Sequence, residues 1–328
     1  MSKVNFKMPT KDDLRRIYKK SPVTFYDLFV YIMLILMAFV FLYPFMYMVV
    51  TSIKSYNDII NVTVKWIPKE FTLKSYLTAM KVMRLESTLV NSVVVTVFAT
   101  IGHVFSCSFI AYGFARYNFP LKGVFFAIVI LSILVPTQVL IISQYIIYSG
   151  MEITIGDLTL KAIGTYIPLI LPTFFGFGLK GGLFVFLYRQ YFLGIPKSLE
   201  EAASIDGCGP IKTFFRIAFP SAGATTIVCI VLSMVWHWND YYEPSLYLTD
   251  YDLMLMPQIV ESLKSLIAIA MEELIQSGNT ADLNALSTFH NGVVMAGTVV
   301  SLLPPMIAYL FLQRKFMEGV ERSGLTGE

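Results

Sequence analysis

Residues 201–220 read EAASIDGCGPIKTFFRIAFP, a short amphipathic stretch of mixed charge between two long apolar runs. Pro196 discourages helix before it. The run Ser198-Leu199-Glu200-Glu201 has capping-box spacing: the Ser198 hydroxyl accepts from the amide three residues on, and Glu201 reaches back. Gly207 is placed to end that first helix in the left-handed conformation. Gly209-Pro210 then makes a turn, and 211–217 restarts a helix with Phe214 and Phe215 as bulky anchors before Pro220 stops it. Ala202 and Ala203 leave a low-relief face that another protein can approach closely. On the residues alone two readings stand, a docking element for a soluble partner and an ordinary interfacial loop helix.

The rest of the chain is mostly lipid-soluble. Of 328 residues, 56% are hydrophobic and 14% charged, with a mean hydropathy of +0.66, whereas a soluble domain carries about 25% charge. A spanning helix needs about 20 apolar residues, and six windows qualify: 28–53, 87–115, 123–150, 163–188, 217–239 and 291–312. The runs are continuously apolar rather than alternating, so helices are expected, not a barrel. The expectation is an all-α polytopic membrane protein, one permease-type domain over 1–328, with residues 196–220 a segment between spans. Pro136 and Pro304-Pro305 are expected to kink their spans. The basic N-terminus precedes an apolar run too long for a signal peptide and without an A-x-A site, so the first span is read as retained.

Six spans divide the Lys and Arg residues unevenly: sixteen fall on the side of the N-terminus and of residues 196–220, eight on the other. The bias places both termini in the cytoplasm. The external loop 240–290 agrees, with eight acids against Lys264 alone up to residue 282. The loop holds a helix-like stretch near 255–276 and a polar tip at 277–280. The net charge of +3 gives no reason to expect nucleic acid. Cys107, Cys208 and Cys229 lack CxxC spacing and offer neither a disulfide framework nor a metal site.

The 201–220 stretch resembles the EAA motif of permease subunits of ATP-binding-cassette importers, E-A-A-x-x-x-G, nine residues, then I-x-L-P. Glu201, Ala202, Ala203, Gly207, Ile217 and Pro220 fall in register, and Phe219 stands where Leu is usual. Asp206 before the glycine is similar to the sugar-importer version. Asn91-Ser92, the run Ala111-Tyr112-Gly113-Phe114-Ala115-Arg116, Trp238-Asn239-Asp240 and Gln313-Arg314-Lys315-Phe316 resemble the maltose-type, MalG-like branch. The resemblance implies a type I importer permease fold and a sugar or oligosaccharide as solute. It implies that 201–207 is a coupling helix seated on a partner ATPase, with Glu201 as charged contact, Ala202, Ala203 and Asp206 as the rest of the coupling surface, and Gly207 as the sharp turn. It also implies a second, MalF-like permease subunit, an extracellular or periplasmic sugar-binding protein, and a lipid bilayer as surroundings. ATP and Mg would belong to the partner, since the chain has no G-x-x-x-x-G-K-[ST] loop; the chain itself is expected to be no enzyme and to hold no cofactor.

Within the spans, Lys180 interrupts the fourth window. An ionisable group at membrane depth is a functional candidate, although the GFGLKGG surround also suits a helix break or a snorkelling lysine. Trp238 and Tyr241, with Asn239 between them, are candidates for a solute path, since aromatic rings stack on sugars; interfacial aromatic belts account for the same residues. His103, His237 and His290 are scattered without ligand spacing and read as packed or interfacial. The same architecture carrying another solute remains open. An ion-coupled secondary transporter would need paired acids inside the spans, and a membrane enzyme would need a nucleophile–base or metal constellation; the sequence displays neither.

Overall fold

The computed structural model describes residues 25–155, 158–276 and 291–322. Helix α1 (Phe25–Ser52) is charge-free after Asp27 and packs on the last helix of the chain; most of its side chains face outward. After the short helix α2 (Lys74–Val82), α3 (Leu85–Arg116) is the 32-residue axis against which the other elements assemble. Its buried side is lined by small and polar residues, among them Ser92, Thr96, Gly102, His103, Ser106 and Ser108, which let neighbouring backbones approach closely. A Cβ added at Gly102 would lie 2.1 Å from Thr173 Oγ1, so that crossing admits no larger residue.

The third apolar window forms two helices, α4 (Lys122–Leu134) and α5 (Thr137–Ser149), bent by 105° at the intervening Val135-Pro136. The kink expected at Pro136 is thus a full break. The described residues are mostly helical, as expected; just beyond the break a short hairpin departs from helix, where β1 (Glu152–Ile155) pairs antiparallel with β2 (Leu158–Lys161), Glu152 opposite Lys161. The β-branched run EITI and the alternating LTLK favour extended backbone, and the Lys161–Glu152 ion pair at 3.2 Å closes the open end.

The fourth window, 163–188, is not one helix. Pro168 and Pro172 open a short helix (Ile167–Ile170) and a 3₁₀ turn (Leu171–Phe175). Gly176, Gly178 and Lys180 then take positive φ, and only from Gly181 does α6 (Gly181–Gly194) run regularly. The apolar residues around them keep the window hydrophobic, but the backbone preferences of Gly and Pro interrupt the helix. Three helices among the described residues are long and apolar enough to span a bilayer alone, and two bent pairs can each make one more.

Next come α7 (Lys197–Ile205), a connected turn of helix over Pro210–Ser221, and α8 (Gly223–Asn239), which leaves that turn at 78°. Helix α9 (Met256–Gln276) falls where the helix-like stretch was expected, and α10 (Asn291–Arg322) runs through both Pro304 and Pro305. The polar tip 277–280 and His290 lie outside the described residues. One core, built around Tyr112, Phe184, Tyr188, Phe192 and Phe214, joins α3, α6 and the Pro210–Ser221 turn; a second, containing Met83, Trp238, Met256, Leu263 and Val293, lies toward the opposite end.

Candidate functional site

Residues 196–222 form the element that the sequence singled out. Helix α7 starts one residue after Pro196, which stands at the N-cap with no side-chain capping bond. The capping box expected from Ser198 and Glu201 is therefore absent, because the helix begins earlier and Ser198 lies inside its first turn. The next carboxylate has a different partner. Glu200 Oε1 accepts from Arg116 Nε at 2.7 Å, and the two side chains are 18% and 7% exposed. Arg116 Nη2 also donates to the Ile195 carbonyl at 2.7 Å. One guanidinium at the end of α3 thus holds both the chain entering α7 and its first turn. From sequence, Arg116 is a charge that closes an apolar span and a member of a motif; its partner, 84 positions away, is not signalled.

The end of α7 follows expectation. Gly207 has φ +77, its N–H donates to the Ser204 carbonyl at 3.0 Å, and the Cys208 N–H donates to Ala203 at 2.8 Å. This is the paired-bond Schellman turn, and the left-handed conformation suits glycine. Of the predicted coupling residues, only Ala203 is buried; Glu201, Ala202, Asp206 and Gly207 face outward. Ile205 beside them is 87% exposed. A charged side chain, a flat alanine and a bare isoleucine therefore share a surface, an arrangement suited to receiving a complementary groove.

The second half is anchored. Gly209 accepts from Thr213 through both N–H and hydroxyl. Phe214 is 1% exposed and packs against Tyr112 and Phe109 of α3, Phe192 of α6 and Phe219. Phe215, the other expected anchor, is only half covered and stacks on Phe105 at 5.9 Å. Pro220 has no N–H to return to Arg216, and residues Phe214–Ala218 widen into a π-turn in which Phe219 donates to the Phe214 carbonyl. The chain bends at Ala222 and enters α8.

The solute-path candidates are not brought together. Trp238 is 5% exposed in the second core and its indole donates to the Ser301 carbonyl at 3.0 Å, so its ring face is engaged in packing. Asn239 is exposed and bonds back to the Val235 carbonyl; Tyr241 is 47% exposed. Lys180 sits exposed at the N-cap of α6 in a left-handed conformation, so it forms part of the helix break. Beyond α8, Asp240 accepts from the amides of Tyr242 and Glu243. Burial and the Asp240 charge push the Glu243 carboxyl up to about 7, and burial raises Asp240 despite its amide partners. His103 and His237, expected to be packed or interfacial, are both buried, and they meet inside the bundle.

Residues 105–321 match the family of binding-protein-dependent transport system inner membrane components. Among curated proteins, the chain is 25% identical over 293 residues to the arabinooligosaccharides transport system permease protein AraQ of Halalkalibacterium halodurans, covering 88% of this chain and 93% of that one. It is 29% identical over 237 residues to AraQ of Bacillus subtilis, 72% of each chain, and 29% identical over 232 residues to the sn-glycerol-3-phosphate transport system permease protein UgpE of Shigella flexneri, 71% of each. A chain of a bacterial transporter that imports the acidic polysaccharide alginate has the same fold, with a TM-score of 0.69 at 19% identity, over 94% of this chain and 99% of that one.

Proposed function

This chain belongs to the family of binding-protein-dependent transport system inner membrane components, and we propose that within it the chain is the permease subunit of an ATP-driven importer of sugars or oligosaccharides. It is a multi-pass protein of the plasma membrane. The observation that carries the coupling role is the construction of residues 196–222: an exposed helix clamped to α3 by Arg116–Glu200 and continuous, through an aromatic anchor, with α8.

In this reading α7 lies in the cytoplasm, pressed into a groove on an ATPase subunit, with Glu201, Ala202, Asp206 and Ile205 on the contact surface and Ala203 and Gly207 shaping it. ATP-driven closure of the ATPase pair displaces α7. Because Arg116 and Phe214 fix the segment to α3 and α6, the displacement is delivered to the spans as movement of rigid elements. The broken run 163–188 supplies the remaining crossing of a six-span bundle, both ends of the chain are cytoplasmic, and the segments at the other end receive solute from a binding protein. A second permease subunit completes the path. Lys180, Asn239 and Tyr241 are exposed candidates for lining it, while Trp238 supports the surrounding core.

The names of the two AraQ relatives favour a neutral oligosaccharide, and that of UgpE extends the class to small polyhydroxylated phosphates. The test is uptake into proteoliposomes that hold this chain with its co-purifying subunits, using arabino-oligosaccharides, other neutral oligosaccharides and glycerol 3-phosphate. Uptake of one class is expected only with ATP on the cytoplasmic side. Equal uptake by this chain without ATPase subunits would overturn the proposal.

A further inference from the structure

The loop between α1 and α2 is held in shape by two buried charges. Lys54 is 5% exposed, and its Nζ donates to the carbonyls of Val64 at 2.9 Å and Lys65 at 2.7 Å. Asp58, in a helical turn over Tyr56–Ile60, is 4% exposed, and its Oδ2 accepts from the amides of Lys69 at 2.7 Å and Glu70 at 2.9 Å. The returning chain is stitched to the end of α1 by an antiparallel bridge between Lys54 and Phe71 and by the Thr72 N–H on the Ile53 carbonyl. The two charges grip the backbone on either side of Trp66-Ile67-Pro68. A buried charge needs its hydrogen bonds, so the three residues between form a fixed tip.

The tip hangs beside α1, not beyond it. The Trp66 ring meets Tyr43 edge to face at 5.2 Å. Tyr43 stands nine positions before α1 ends at Ser52, about 13 Å along the axis. Helix α1 is one of those long and apolar enough to span alone. About 20 residues fill the hydrocarbon layer, and counted from Leu28, the first after Asp27, they end at Tyr47. Trp66 therefore lies at the hydrocarbon boundary, the level at which Trp and Tyr rings settle. Ile67 beside it is 84% exposed, so this chain leaves it uncovered.

Alongside a span, an apolar tip is covered by lipid or by another subunit, and the charges around this one favour lipid. Lys65 and Lys69 flank it and are exposed. Lysine is depleted from the core of protein interfaces, whereas at a bilayer surface its stem lies along apolar material and its ammonium reaches outward, here to headgroup phosphates. We propose that residues 65–69 are seated in the bilayer surface, with Trp66 and Ile67 below the headgroups and Lys65 and Lys69 at phosphate level. By the orientation proposed above, the leaflet is the outer one. The seat fixes the height of the loop. Through Ser52 and Tyr76, whose hydroxyls share a hydrogen bond at 2.7 Å, it also fixes α2, which packs on α10.

The experiment uses the complex with its co-purifying subunits in lipid nanodiscs, in a Cys208→Ser background; Cys107 and Cys229 are buried and stay unlabelled. A nitroxide is carried by Ile67→Cys or, as aqueous reference, by Lys264→Cys on the exposed side of α9. Its collisions with oxygen, which concentrates in lipid, and with a water-soluble nickel chelate are compared. The oxygen-to-nickel ratio at 67 is expected to exceed that at 264 severalfold. A ratio at 67 equal to that at 264 puts the tip in water and overturns the seat. Low collision rates with both reagents put it against another subunit and overturn the seat as well. Lys54→Met, which releases one clamp, is expected to raise nickel access at 67 and leave 264 unchanged; unchanged access at 67 would remove the clamp from the account, and the label at 67 in the parent decides the seat where Lys54→Met does not assemble. On whole cells an impermeant maleimide should reach Lys264→Cys. Its failure there would overturn the orientation and move the seat to the inner leaflet.

Discussion

Residues 196–208 and 209–222 follow one another directly and are built in opposite ways. The first half buries Ala203 alone among its helical residues and leaves Glu201, Ile205 and Asp206 bare; its shape is held from its two ends, by Arg116 at the start and by the Gly207 turn at the finish. The second half buries Thr213, Phe214, Ala218 and Ala222 and shares a core with α3 and α6. A part that transmits force needs one surface free to be gripped and another fixed to the load. The difference predicts that substitutions in the second half act on stability, while those on the free face of the first act on coupling, with the fixing points between.

Phe214→Ala should have the largest effect on folding. It empties a fully enclosed aromatic site, and large-to-small core changes of this kind cost about 3–5 kcal/mol. Thermal unfolding of the purified chain in detergent should show a clear loss of stability; an unchanged midpoint would mean that the second half is not the anchor. Glu200→Gln comes next. Stranding a charge in a fully buried pair costs about 3–5 kcal/mol, but Arg116 keeps its bond to the Ile195 carbonyl and Glu200 is partly wetted, so a loss of about 2 kcal/mol is expected, with ATP-driven uptake falling more than stability does. If Glu200→Gln proved silent in both assays, the first half would have no fixing point at its start.

The contrast between the halves was partly legible from sequence. Gly207 was, because a Schellman turn is local and glycine announces it. The apolar runs that became α1, α3 and α10 were, because an uninterrupted hydrophobic stretch of that length has few other fates. The start of α7 was misread: Ser198 and Glu201 have capping spacing, yet Pro196 already starts the helix and the ion pair with Arg116 uses Glu200. The break at 176–180 was half legible: the GFGLKGG surround of Lys180 already suited a helix break, whereas the groups that satisfy its backbone did not show. Large apolar neighbours keep the window hydrophobic despite its Gly and Pro residues, and the groups that make the break tolerable in lipid are His103 and Ser106, about 70 positions earlier. The meeting of His103 with His237, 134 positions apart, leaves no trace in spacing at all, and neither does the hairpin that interrupts an otherwise helical chain.

Gly207→Ala separates conformation from contact at the junction of the halves. Nothing lies within 4 Å of the Cβ that alanine would add, so the cost is the left-handed backbone alone, about 1–2 kcal/mol. A modest fall in the unfolding midpoint with uptake reduced in proportion is expected. A loss of uptake far beyond the loss of stability would show instead that the turn itself is gripped by the partner, extending the free face past α7.

Glu201→Lys should have the smallest effect on the fold, and it is the sharpest test of the contrast. The side chain is exposed and makes no ion pair with this chain among the described residues, so stability should change by no more than about 0.5 kcal/mol, as for other surface positions. If the first half is the gripped end of a lever, reversing that charge weakens the seat on the ATPase while leaving α7, its turn and the ion pair at Glu200 intact. ATP-driven uptake should then collapse in a protein that unfolds at the same temperature as the parent and reaches the membrane in the same amount. Uptake at the parental rate would mean that the exposed face of α7 is merely solvated, and that whatever drives α8 reaches it by another route.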